Sequence, residues 1–164
     1  MKPATTEHTA PEIMPTTMSL KRHTSGAFPA RLVLSSPDAM RAAAGELAAH
    51  LTPGDVVAVE GPLGSGKTTF VQGLVAAVSG TAVATSPTFT FWHRYPGVEH
   101  LDLYRIEDSR ELAELGLEEA FGPDAITVVE WPEKAPELVG TPDWRVTIAG
   151  SGDGPRAVAI APRE

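Results

Sequence analysis

Eight consecutive residues, Gly61-Pro62-Leu63-Gly64-Ser65-Gly66-Lys67-Thr68, satisfy the pattern G-x-x-x-x-G-K-[ST] at each fixed position. Their types suit one task, the holding of an anion. Gly61, Gly64 and Gly66 let the main chain bend around a charged group with no Cβ in the way. The amide N–H groups so presented, backed by a helix N-terminus, favour phosphate oxygens. Lys67 adds a compact, mobile positive charge. The Thr68 hydroxyl suits a hard cation such as Mg²⁺, which prefers oxygen ligands. The alternative, a glycine-rich turn with an accidental Lys-Thr, is opposed by what flanks the motif. A continuous apolar run, Val56 to Val59, precedes it and a helical pattern follows from Thr68, so the sequence predicts a nucleotide phosphate site.

The base is addressed by exclusion. Guanine-binding proteins of this kind usually carry N/T-K-x-D and a switch D-x-x-G. None of the four lysines (Lys2, Lys21, Lys67, Lys134) sits in the first pattern, and none of the seven aspartates has Gly three residues later. ATP is therefore expected. Such a site also needs a carboxylate to position Mg²⁺ or the attacking water. Glu130 closes the apolar run Ile126 to Val129, at a strand end where α/β sheets usually place active-site groups. Asp102 stands in His100-Leu101-Asp102-Leu103-Tyr104-Arg105, with Leu101 and Leu103 alternating against it. For each acid a solvated strand end is the competing reading. Arg105 fits either a charge-neutralising arginine or an ion pair with Asp102 or Glu107. His100 reads as structural, with no second histidine at ligand spacing.

These residues need a scaffold, and the sequence outlines one. Arg31 to Leu34 reads as a short strand. Ser36 and Pro37 read as the cap and first residue of a helix with Met40, Ala43, Ala44, Leu47 and Leu51 on one face. Val56 to Val59 is apolar throughout, as expected of a strand buried on both faces. The helix from Thr68 runs to Val78 and closes near Gly80. Thr88 to Tyr95 and Val98 to Arg105, around Pro96-Gly97, suggest a hairpin. Asp108 with Glu111 forms a capping-box pattern for a helix ending at Leu115, before Gly116. Ile126 to Val129, Trp144 to Ala149 and Arg156 to Ile160 supply the remaining strands. Helices alternating with apolar strands predict an α/β fold, a single P-loop NTPase-type three-layer sandwich. Its central sheet is expected to be mixed and mostly parallel, with antiparallel strands at the edge.

Composition narrows the class further. The chain has 164 residues and a formal net charge of -8, which suits one domain with a single core. Residues 1–30 are rich in Thr, Pro and Ala and lack apolar periodicity, so they are expected to be a disordered tail ahead of a P-loop ATPase domain spanning 31–164. That tail carries a local +1, which leaves -9 on the remainder. A body this acidic is ill suited to gripping nucleic-acid phosphates by itself. The absence of cysteine excludes disulfides, thiolate zinc sites and iron–sulfur clusters. No apolar run is long enough to cross a bilayer and the N-terminus lacks a signal-peptide core, so a cytoplasmic location with no membrane partner is expected.

Taken together, GPLGSGKTT (Gly61 to Thr69), SPTF (Ser86 to Phe89), Tyr95, HLDLYR (His100 to Arg105), Glu111-Leu112 with Leu115-Gly116, and VEWP (Val129 to Pro132) make the chain resemble the TsaE family. That is the ATPase family of bacterial tRNA threonylcarbamoyladenosine biosynthesis. The resemblance spans roughly residues 32–161, and departs from the family in having proline at position 62 and in its N-terminal extension. It implies that Ser65 to Thr69 wrap the ATP phosphates and that Thr68 and Glu130 hold Mg²⁺. It further implies that Asp102 acts on the metal or on water, with Lys67 and Glu130 as the other catalytic groups. Ser86, Pro87 and Thr88 would form a switch-like loop facing the γ-phosphate. Trp131 would lie at the site, although a buried packing indole is the competing reading. By position alone, Ser36 to Asp38 would lie near the adenine.

The implied partners are the synthase subunit that transfers threonylcarbamoyl to tRNA and its dimerising companion, of TsaD and TsaB type, with tRNA met only indirectly. Two rivals are a small P-loop kinase and a nucleotide sensor without hydrolysis. The kinase would need an arginine-rich lid. The arginines after Lys67 are scattered instead.

Overall fold

The computed structural model describes residues 28–81 and 90–164. Ser86, Pro87 and Thr88, like residues 1–27 of the expected tail, lie outside the described residues. Seven strands form one sheet: β1 (Ala30–Leu34), β2 (Val56–Glu60), β3 (Trp92–Tyr95), β4 (Val98–Asp102), β5 (Ile126–Glu130), β6 (Trp144–Ala149) and β7 (Arg156–Pro162). Their spatial order is β1-β7-β6-β2-β5-β4-β3. The central pairings β6–β2, β2–β5 and β5–β4 are parallel. The outer pairings β1–β7, β7–β6 and β4–β3 are antiparallel. The expected mixed sheet, parallel at its centre, is therefore present.

Helices cover both faces. α1 (Pro37–Ala48) and α2 (Lys67–Ser79) pack on one side, where Met40, Leu47, Phe70 and Leu74 meet Val57, Val59, Val128 and Val146. On the other side α3 (Ser109–Leu115), a 3₁₀ turn (Leu117–Ala120) and the short α4 (Pro136–Val139) bury Leu112, Leu117 and Val139 against Leu101 and Val129. Val128 and Val129 belong to opposite cores because successive strand residues face opposite ways. Such a three-layer arrangement explains why β2 and β5 are apolar along their length.

Local chemistry sets the helix starts. Ser36 caps α1 by accepting a hydrogen bond from the Ala39 N–H at 3.1 Å, and Pro37 occupies the first turn. Asp108 and Glu111 make the reciprocal capping box of α3, which Gly116 ends in a left-handed conformation. α1 and α2 touch main chain to main chain. A Cβ on Gly73 would sit 2.6 Å from both the Arg41 Cα and its carbonyl oxygen, so glycine is what this approach requires.

Some expected boundaries move. The hairpin strands are shorter than the apolar runs that suggested them, since β3 spans only Trp92–Tyr95 and β4 ends at Asp102. The Leu103 N–H makes a last bond to the Glu130 carbonyl, and its own carbonyl then accepts from Ile106 at 3.0 Å, turning the chain. Leu103 and Ile106 are apolar because they are buried under the second helical layer, which gives them a strand-like pattern without a strand. β1 starts at Ala30, one residue ahead of Arg31, and the Phe28 ring packs edge-on against Trp144 at 5.5 Å. The 3₁₀ stretches Leu117–Ala120 and Pro132–Lys134, and α4, are too short for periodicity to disclose.

Candidate nucleotide site

The loop between β2 and α2 sits at the carboxyl end of the sheet, the usual position for ligands in open α/β folds. Gly66 caps α2 at φ 102°, a left-handed conformation that leaves the first helical N–H groups open. Gly64 is left-handed too, at φ 75°. Pro62, the departure from the family pattern, gives up an N–H but supplies a carbonyl that accepts from Ser65 at 3.1 Å and from Lys67 Nζ at 2.7 Å. Lys67 Nζ also donates to the Gly61 carbonyl at 2.7 Å and lies 4.1 Å above the Trp131 ring. Burial of this ammonium pushes its pKa down, against the opposing pull of Glu130, Glu133 and Asp102.

Sheet order brings the acids to the loop. β5 neighbours β2, so Glu130 at its end faces the start of α2, and Glu130 Oε1 accepts from the Thr68 hydroxyl at 3.0 Å. Asp102 is paired with Glu130 across β4–β5, which puts both carboxylates on the α2 face. Burial, and then the neighbouring Glu130 charge, raise the Asp102 pKa. A hydrogen bond from the Tyr104 N–H at 3.1 Å works the other way.

His100 holds the second oxygen of Glu130. Its Nε2 lies 2.7 Å from Oε2, and both side chains are buried. Glu130 is thus fixed from two directions, by a helix and by a strand. The histidine is structural, as its spacing suggested, yet its structural role is to position a site carboxylate. Alternation along β4 carried the signal: His100 and Asp102, two apart, must share a face.

Trp131 is the one non-glycine residue with positive φ among the described residues, at φ 59°. That conformation is costly for a bulky side chain. Here it turns the indole over Lys67 and against the Tyr104 ring, whose centroid is 5.0 Å away. Trp131 therefore belongs to the site as well as to the edge of the second core.

These groups border one cavity of about 600 Å³, within the range of small-ligand sites. The phosphate loop with Thr69 forms its floor, Asp102, Tyr104, Glu130 and Trp131 one wall, and Leu34 to Pro37 with Met40 another. Gly152, Asp153, Gly154 and Arg156 complete it. Asp38 is a correction to the sequence-based placement. In the first turn of α1 its carboxylate points outward, 97% exposed, and pairs with Arg41 at 3.1 Å. Of the stretch Ser36 to Asp38, Ser36 and Pro37 line the cavity. Arg105 is exposed and is not among the residues lining it. The turn at 152–154 and Arg156 were not anticipated, because they come from the last hairpin, far from any motif.

The parallel-centred three-layer sheet, with a glycine-rich loop and Lys-Thr opening a helix beside two strand-end acids, defines a P-loop-type protein. The family described as "Threonylcarbamoyl adenosine biosynthesis protein TsaE" matches residues 34–158, and the chain belongs to it. Among similar proteins, the tRNA threonylcarbamoyladenosine biosynthesis protein TsaE of Bacillus subtilis is 38% identical over 129 residues, covering 76% of this chain and 80% of the relative. Its namesake from Treponema pallidum is 36% identical, covering 68% and 84%. A crystal structure of Bacillus subtilis YdiB superposes with a TM-score of 0.61 at 29% identity, covering 82% of this chain and 86% of that one.

Proposed function

We propose that the cavity binds ATP with Mg²⁺ and that the chain hydrolyses ATP in the cytoplasm in support of threonylcarbamoyl transfer to tRNA. The observation that carries this reading is the contact between Thr68 Oγ1 and Glu130 Oε1 at 3.0 Å, beside Asp102 and beneath the phosphate loop. Two oxygens that bind one octahedral ion at about 2.1 Å stand about 3 Å apart, so the spacing of the pair suits Mg²⁺ once the Thr68 hydroxyl turns its hydrogen away from Glu130. The donor set is hydroxyl and carboxylate throughout, as a hard ion requires. Thr68 and Glu130 would hold the ion, with Asp102 on the metal or on a water bound to it. Bound there, Mg²⁺ would neutralise charge on the β- and γ-phosphate oxygens.

The chain's own groups would do the rest. Main-chain N–H groups of Ser65 to Thr69 cradle the phosphates. Lys67 leaves its carbonyl partners and pairs with γ-phosphate oxygens. A water held by the carboxylates attacks the γ-phosphorus as the bond to the β–γ bridging oxygen breaks, giving ADP and phosphate. Glu130, braced by His100, does not swing as charge builds.

The partners in this reading are the synthase subunit and its dimerising companion, of TsaD and TsaB type. The family membership supports the pathway, and a cavity of about 600 Å³ bordered by the loop before α2 has room for one nucleotide. The decisive experiment compares ATP turnover of the chain alone with turnover in the presence of both partners, with and without tRNA. Stimulation by the partner pair is expected. Equal turnover in all arms would remove the coupling, and phosphorylation of a small acceptor would favour a kinase.

A further inference from the structure

Arg156 begins β7, 91 residues after Ser65, and its guanidinium bridges two loops. Nε donates to the Ser65 carbonyl at 2.9 Å, and Nη2 donates to the Gly64 carbonyl at 3.3 Å. On the other side Nη2 donates to the Gly152 carbonyl at 2.7 Å and Nη1 donates to the Gly154 carbonyl. Every acceptor is a main-chain oxygen, and among the described residues no carboxylate forms an ion pair with it. Arginine suits this task because its planar fork presents five donors at fixed angles, where lysine offers one mobile charge.

The placement has a consequence for the anion site. In a trans peptide the C=O and the following N–H point in opposite directions. By holding the Ser65 carbonyl, the guanidinium fixes the plane of the Ser65–Gly66 peptide, and with it the Gly66 N–H, in a loop that lines the cavity. The same guanidinium adds a fixed positive charge to a cavity that Asp102 and Glu130 also line. The second pair of bonds anchors the turn between β6 and β7. That turn has glycine at 150, 152 and 154 and exposed residues from 150 to 155, so it has no apolar anchor of its own.

We infer that Arg156 is a positioning residue for nucleotide binding: it ties the phosphate loop and the 150–155 turn into one wall, so that polyphosphate affinity depends on the last strand. The inference rests on the nucleotide reading of the cavity. It is tested by titrating ADP with Mg²⁺ into wild-type protein, Arg156→Lys and Arg156→Ala, and by amide hydrogen exchange of each protein without nucleotide. Bonds from a charged donor carry enough free energy that the alanine variant should bind ADP about ten- to a hundredfold more weakly. Added guanidinium ion, far below denaturing concentration, should restore part of that loss. Exchange should quicken in residues 61–66 and 150–155 together while the thermal midpoint changes little. Arg156→Lys, which keeps the charge and loses the fork, should show the same paired quickening, and it serves if the alanine variant does not fold. Wild-type affinity in both variants, or quickened exchange in one loop alone, would overturn the role of Arg156. Failure of the wild-type protein to bind ADP would instead overturn the nucleotide reading itself.

Discussion

Lys67 and Glu130 stand on opposite sides of the same chemistry, and their substitutions should separate binding from hydrolysis. Lys67 donates to two carbonyls of its own loop, at 2.7 Å each, so it is already held where phosphate oxygens would compete for it. Lys67→Ala is expected to weaken ADP and ATP binding by about tenfold or more, the effect of losing one charge-assisted hydrogen bond. Glu130→Gln keeps the shape and removes the charge, so nucleotide binding should survive while Mg²⁺-dependent turnover falls by two orders of magnitude or so. Calorimetric titration and a phosphate-release assay read the two effects. Asp102 gives a pH test. Its pKa is raised above the ordinary 3.8 by burial and by Glu130, so the folded state holds that proton more tightly than the unfolded state does. Ionisation therefore costs stability, from about the ordinary carboxylate value upward. Metal-free Asp102→Asn should melt higher than wild type at pH 7, and the gain should vanish as the pH falls below 3.8. An unchanged or lower midpoint at pH 7 would show that the Asp102 charge is already compensated.

At the scale of elements, α1 and α2 set the height of the phosphate loop above the sheet. Their contact at Gly73 leaves no room for a methyl group, with Arg41 main-chain atoms 2.6 Å from the position a Cβ would take. Gly73→Ala gains helix propensity worth about 1 kcal/mol. Overpacking against main chain costs about 1–3 kcal/mol, so the clash should win. A thermal midpoint several degrees lower is the expected result, with weaker nucleotide binding as α2 is pushed from α1. A rise in midpoint would mean the helices separate without cost.

The whole molecule separates charge by layer. Residues 101–140 contain eleven acidic and three basic residues, so the chain's entire net charge of -8 is carried by this segment. Asp102 and Glu130 are its two strand-end acids, and the other nine lie in or beside α3, the 3₁₀ stretches and α4, the layer opposite α1 and α2. The isolated protein should therefore show no retained tRNA in a filter or mobility assay at about 150 mM salt, since phosphate contacts need cations. A tight tRNA complex would contradict an indirect role. Among the described residues, no helix is long and apolar enough to cross a membrane.

Much of this was legible before folding is considered. The phosphate loop, the buried strand before it, the helix after it, and the caps at Ser36 and Asp108 depend on residues within a few positions of one another, and local rules read them directly. Strand alternation even placed Leu101 opposite Asp102. The second hairpin strand is shorter than its apolar run because burial under a second layer imitates strand alternation at Leu103. Asp38 was misplaced because its position near the helix start says nothing of which way the carboxylate turns. What the sequence by itself determined was the local form of the loop, glycine-rich between a buried strand and a helix and ending in Lys67-Thr68, which suits an anion and a hard cation. Only the tertiary structure decided its completion. Thr68 meets Glu130 across 62 residues, Glu130 meets His100 across 30, and Arg156 reaches Ser65 across 91. Those meetings follow from the order in which strands pair, β7-β6-β2-β5-β4, and pairing order is settled by packing two helical layers on one sheet, a balance that no local stretch of residues contains.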